Sequence, residues 1–109
     1  MTGKTLFIGF QKLYTEPPPV RDSGYLRWVR TFPCSVCKSQ RGIEAAHTGP
    51  HGIGQKSSDQ SCIPLCRTHH RELHARGPVR FQNAHLIQFE ELTGQLNALW
   101  EERKAKAAA

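Results

Sequence analysis

The sequence predicts a small α+β domain, on three observations. Two short runs of strand character, residues 43–48 and 61–66, flank a glycine-rich loop. Helical periodicity stands on both sides of them. Of the 4 Cys and 6 His, all but His85 fall between Cys34 and His74. With 109 residues, 38% hydrophobic and 8% aromatic, the chain supports one domain with a modest core. A structural metal would add its binding free energy to folding in a domain of this size.

Residues 1–22 read as an N-terminal arm, and residues 23–109 as the single domain. The arm carries the apolar run Leu6-Phe7-Ile8-Gly9-Phe10 and then Pro17-Pro18-Pro19, which favours extended polyproline geometry. The apolar run is too short for a signal peptide, and nothing approaches the roughly 20 apolar residues of a membrane span. A reducing cytoplasm is therefore the expected compartment. Closely paired cysteines there are more often metal sites than disulfides.

Asp22-Ser23 supplies a helix start. Tyr25, Trp28, Val29 and Phe32 follow as one apolar stripe, and Pro33 ends the helix before Cys34. Residues 43–48 form the first strand, and the segment from Gly49 to Asp59 is loop by its glycines and small polar residues. In the second strand, 61–66, Pro64 demands an edge or a strand end. Thr68 is the expected cap of a helix running to Arg76, with Gly77-Pro78 as its stop. Residues 80–106 are helical, with Phe81, His85, Phe89, Leu92, Leu96, Leu99 and Trp100 on the inner face. Gly94 and the break of period at Leu86-Ile87 divide them into two helices. The tail from Arg103 is expected to fray.

The charged residues, 15 Lys+Arg against 9 Asp+Glu, give a net charge of +6. That balance favours a polyanionic partner, most simply nucleic acid. Cys34-x2-Cys37 places two sulfurs on one ion, and Cys66-x2-His69 does the same at a helix start. Together they make a Cys3His set suited to tetrahedral zinc. The spacer from Cys37 to Cys66 is too long for a DNA-reading finger, so the pairs form a clip joining two remote segments. Cys62 reads as a small buried hydrophobe. His70 and His74, at i and i+4 on the same helix, offer two nitrogens to one divalent ion. His69 points about 100° away, toward the clip. His47, at a strand end before the loop, is placed to take a proton from water near neutral pH.

Ala46-His47, the glycine-rich loop, Lys56, Asp59 and Pro64-Leu65-Cys66-Arg67-Thr68-His69-His70-Arg71-Glu72-Leu73-His74 resemble the HNH endonucleases, the ββα-metal motif, in their phage and prophage branch. The resemblance covers Cys34 to His74, within a motif core of residues 34–76. It implies a DNA phosphodiesterase of a phage or its bacterial host, with His47 as general base and His70 and His74 as ligands of a catalytic Mg2+, Mn2+, Zn2+ or Ni2+ ion. Cys34, Cys37, Cys66 and His69 take the place of the family's structural zinc ligands. Lys56, Arg67 and Arg71 are expected at phosphates, which positions DNA without reading its sequence. Two positions depart from the family: Ala46 stands where many members carry a metal ligand, and Ser61 replaces the Asn. Asp59, His51 or water is the expected substitute ligand, with Asp59 favoured. The alternative reading is a non-catalytic zinc-stabilised DNA-binding module, and a third is a zinc-stapled adaptor.

Overall fold

A computed structural model describes residues 20–49 and 58–108. Helix α1, Ser23–Val29, starts as its sequence requires: the Asp22 carboxylate accepts a hydrogen bond from the Tyr25 amide at 3.0 Å. Tyr25 and Val29 are buried, and Trp28 and Phe32 pack beside them. The Tyr25 hydroxyl donates to Asn97 Oδ1 at 2.8 Å, pinning α1 to the last helix. Burial, reinforced by the negative charges of Cys62 and Asp22, pushes this phenol up to about 12, so it remains a donor at physiological pH.

Strands β1, Ile43–His47, and β2, Cys62–Cys66, form an antiparallel hairpin in which Ile43 pairs with Cys66 and His47 with Cys62. Side chains alternate across it. Glu44 and Ala46 share one face with Ile63 and Leu65, while Ala45 and His47 occupy the other. The second strand begins one residue later than expected, because Asp59–Ser61 close a single 3-10 turn. Pro64 sits mid-strand, yet it breaks no ladder bond. Its carbonyl turns outward and accepts from the Ser35 amide at 2.9 Å and the Ser35 hydroxyl at 3.0 Å. In an antiparallel pair, N–H and C=O of one residue point the same way, so the missing proton also faces outward.

Helix α2, Arg67–Arg76, is capped by Cys66 and not by Thr68, which lies within its first turn. The reason is the Cys66-x2-His69 spacing: the thiol and imidazole converge only if the helix starts directly after Cys66. Gly77 ends it at φ 88, ψ 161, a backbone region that is essentially glycine's alone. Pro78 then opens α3, Pro78–His85, where its fixed φ suits the first helical position. Leu86 in the left-handed region, φ 55, breaks the chain before α4, Phe89–Ala108. Gly94 lies inside α4 and interrupts nothing. The expected fraying from Arg103 is replaced by continuous helix through Ala108. This stretch is rich in the best helix formers and carries a Lys104–Glu101 pair at 3.0 Å.

The hairpin lies between two cores. Ala46, Ile63 and Leu65 on one face meet Leu73, Phe81, Phe89 and Cys34. Ala45 on the other face meets Tyr25, Val29 and Leu96 with Trp28 and Trp100. The end of the expected arm is tied to the body: Val20 N donates to Ser58 Oγ at 3.0 Å and Asp22 N to Asp59 Oδ2 at 2.7 Å. The rest of that arm lies outside the described residues. Among the described residues, no helix is long and apolar enough to cross a membrane.

Candidate metal centre and histidine sites

The turn after α1 carries Cys34 and Cys37 to the start of α2. Lys38 adopts φ 64 and Gly42 φ 60 in this knuckle. Cys34 N donates to Ser39 O at 2.9 Å, and Lys38 N to Cys34 O at 3.0 Å. The four donors converge: Cys37 Sγ to Cys66 Sγ is 3.9 Å, Cys34 Sγ to His69 Nδ1 is 3.7 Å, and Cys66 Sγ to His69 Nδ1 is 3.2 Å. Ligands about 2.0–2.3 Å from a tetrahedral zinc ion stand about 3.5–3.8 Å apart, so the set lies near that geometry. Burial raises the Cys34 thiol, but the amides of Cys37, Cys66 and Val36 aimed at its sulfur outweigh burial and bring it to about 6. Cys66 is pushed up by burial, despite the His69 amide, and by the neighbouring thiols. Cys34, Cys37, Cys66 and His69 could therefore hold a metal such as zinc, as their spacing predicts. Cys62 is fully buried, as expected of a small hydrophobe.

On the opposite flank of α2, His74 Nε2 lies 3.3 Å from His70 Nε2. Two nitrogens at about 2.0–2.1 Å from one ion, at a tetrahedral angle, stand at about this separation. Behind them, Glu44 Oε1 accepts from His70 Nδ1 at 2.8 Å. With Nδ1–H given to Glu44, His70 Nε2 presents its lone pair toward His74. The His70 hydrogen bond, against slight burial and helped by Arg67, holds the Glu44 carboxyl below its usual range. Sequence reasoning missed Glu44. The available signal was the strand period: Glu44 lies two residues before Ala46, on the face that meets α2.

His47 points to the other face. Its Nε2 is 2.8 Å from Asp59 Oδ1, and Asp59 is only 4% exposed. The second Asp59 oxygen accepts from Asp22 N, and Arg21 Nη1 stands 3.5 Å from the first. Burial would raise this carboxyl, but the His47 and Asp22 hydrogen bonds and the nearby positive charges hold it below the ordinary value. With Nε2–H given to Asp59, Nδ1 of His47 is the nitrogen left to take a proton.

The structure thus brings together three sets: the Cys3His cluster, the Glu44–His70–His74 group and the His47–Asp59 dyad. It does not bring Asp59 to His70 and His74, where a third ligand was expected, because both carboxylate oxygens serve His47 and the start of α1. Ala46, next to His47, is buried against the α2 side. Among the described residues, no Cys, His, Asp or Glu completes a three-donor set with the His70–His74 pair. Arg67 is exposed on α2, with Nε 3.7 Å from Glu44 Oε2, and Arg71 is exposed one turn on. His51 and Lys56 lie outside the described residues. A last cluster was not anticipated: both Glu72 oxygens lie 3.0 Å from His85 Nε2, close to His69.

Among the described residues, these features define a small α+β domain with a two-stranded antiparallel sheet, four α-helices and a Cys/His cluster that could bind metal. The chain belongs to the family described as "Protein of unknown function (DUF968)", which matches residues 18–100. It is also similar to the uncharacterized protein YdfU of Escherichia coli (strain K12), with 39% identity over 69 residues. That alignment covers 61% of this chain and 19% of YdfU, so the chain spans only a small part of that relative's length. No solved structure matches the chain.

Proposed function

We propose that this domain is a metal-dependent DNA endonuclease of the HNH (ββα-metal) type with a zinc ion in the Cys3His clip. The observation that carries the reading is the pair of Nε2 atoms on His70 and His74, 3.3 Å apart, with the His70 ring braced by Glu44. A divalent ion there would supply the positive charge that offsets the pentacovalent transition state and the leaving 3′ oxygen. His47 takes the proton of the attacking water on Nδ1 as the water oxygen bonds to phosphorus and the bond to the 3′ oxygen breaks. Asp59 orients the ring and stabilises its charged form. Lys56, Arg67 and Arg71 hold phosphates, so little sequence specificity is expected.

The test is cleavage of supercoiled plasmid by wild type and His47→Ala, with Mg2+, Mn2+, Ni2+ or Zn2+ in turn and with EDTA. Metal-dependent nicking in wild type that vanishes in the variant, with zinc content and fold retained, is the expected result. Full activity in His47→Ala removes His47 from the base role. One observation favours a second reading, a non-catalytic DNA-binding module: Ala46 is buried where the resemblance places a ligand. Salt-sensitive DNA binding without cleavage in any metal is its signature.

A further inference from the structure

His69 faces two ways. Its Nδ1 lies against the sulfurs of Cys34 and Cys66, so with a metal on Nδ1 its remaining proton would sit on Nε2, at the far edge of the ring. Near the ring stand Glu72, one turn along α2, and His85, at the end of α3. Donor atoms of His69, Glu72 and His85 all lie within 4.8 Å of one another. The His69 and His85 rings meet edge-on, with centroids 5.3 Å apart at 86°. Glu72 accepts from His85 Nε2 at 3.0 Å on both oxygens and pairs with Arg76 Nε at 2.7 Å.

Two His and one Glu could in principle hold a second ion. That would make His69 bridge two metals as an imidazolate and strip the proton from Nε2. It would also set the ion against Arg76, already on the carboxylate. A proton-bearing imidazole with a carboxylate oxygen within 4.8 Å of its ring nitrogen needs neither. We infer that Glu72 is a positioning residue of the metal clip, holding the His69 ring through its Nε2–H while His85 locks Glu72 in place. A ligating imidazole is a better donor when its other N–H gives to a carboxylate. Because His85 is on α3 and His69 on α2, the same link fastens α3 to the clip across the Gly77 turn. This inference rests on the clip binding zinc and is independent of any nuclease activity.

The experiment measures zinc affinity by competition with a chromophoric chelator in wild type, Glu72→Gln, His85→Gln and Arg76→Gln. Metal stoichiometry and the ligand-field spectrum of the Co2+-substituted proteins are recorded alongside. Glu72→Gln should weaken zinc binding about 10- to 100-fold and shift the Co2+ bands. His85→Gln should do the same to a smaller extent, and Arg76→Gln, which removes the ion pair alone, should match wild type in both. Should Glu72→Gln prove too unstable to assay, His85→Gln read against Arg76→Gln decides by the same two signals. Wild-type affinity and spectrum in both Glu72→Gln and His85→Gln would overturn the inference. So would loss of one bound ion in Glu72→Gln with clip affinity unchanged, which would establish the second metal site instead. A wild type that binds no zinc would remove the clip and the inference together, a result distinct from either.

Discussion

Replacing Asp59 by Asn tests the dyad without changing its shape. The carboxylate makes two charge-assisted hydrogen bonds, 2.8 Å to His47 and 2.7 Å to the Asp22 amide, at a position 4% exposed. Hydrogen bonds to charged groups contribute about 1.5–3 kcal/mol each. The Asn carbonyl still accepts from Asp22, so the loss is about one charged bond. The Arg21 contact, at 3.5 Å with a half-exposed guanidinium, adds little. The expected cost is about 2 kcal/mol, which in a domain of this size lowers Tm by roughly 8–15 °C. Thermal unfolding followed by far-UV circular dichroism at neutral pH, with zinc present, measures it. A double-mutant cycle with His47→Gln should return a coupling of about 1 kcal/mol or more. A Tm within about 2 °C of wild type, or strict additivity in the cycle, would refute the reasoning. The pH dependence has a fixed sign. Asp59 is held below its unfolded value, so its contribution is complete above about pH 4 and fades as pH falls through the folded value. The Asn variant should therefore show a shallower acid limb.

Two further substitutions separate the other sites. Glu44→Gln should weaken divalent-ion binding at His70 and His74 about 10-fold or more while leaving the clip's zinc untouched. Isothermal titration with Mn2+ on the zinc-loaded protein reads this directly, and unchanged affinity would remove Glu44 from the group. Gly77→Ala meets no neighbouring atom within 4 Å, so its whole cost is the backbone at φ 88. A loss of about 1–3 kcal/mol in urea unfolding is expected, and a neutral result would mean that the α2–α3 turn relaxes freely.

The local devices were legible in the sequence because their signals lie within one turn of chain. The Asp22 cap, the Tyr25–Phe32 stripe, the stop at Gly77 and the break at Leu86 are of this kind. Thr68 misled because cap preference was read alone, whereas the thiol–imidazole spacing fixes the helix start. The tail misled because polarity was read as fraying, while its Ala, Lys, Glu and Arg residues are strong helix formers. In the site, the paired Cys-x2 spacing and the His70–His74 repeat were readable for the same local reason. Glu44 with His70, Asp59 with His47 and Glu72 with His85 were not. Each joins residues that only the hairpin crossing or the docking of α3 brings together. A carboxylate's partner is a property of the fold before it is a property of the sequence.

The outward carbonyl of Pro64 has one more consequence. A two-stranded sheet has two open edges, and an open edge is a template for another chain. Along β2 that edge is blunted twice: Pro64 offers no donor, and its acceptor is occupied by Ser35, which lies between Cys34 and Cys37. The cover on this strand is therefore the metal knuckle itself. Were Ser35 to leave Pro64, an apolar strand, Cys-Ile-Pro-Leu-Cys, would be bared to its neighbours. If the Cys3His set binds zinc, loading would guard against self-association as well as against unfolding, and the metal-free protein is the form expected to seed aggregates.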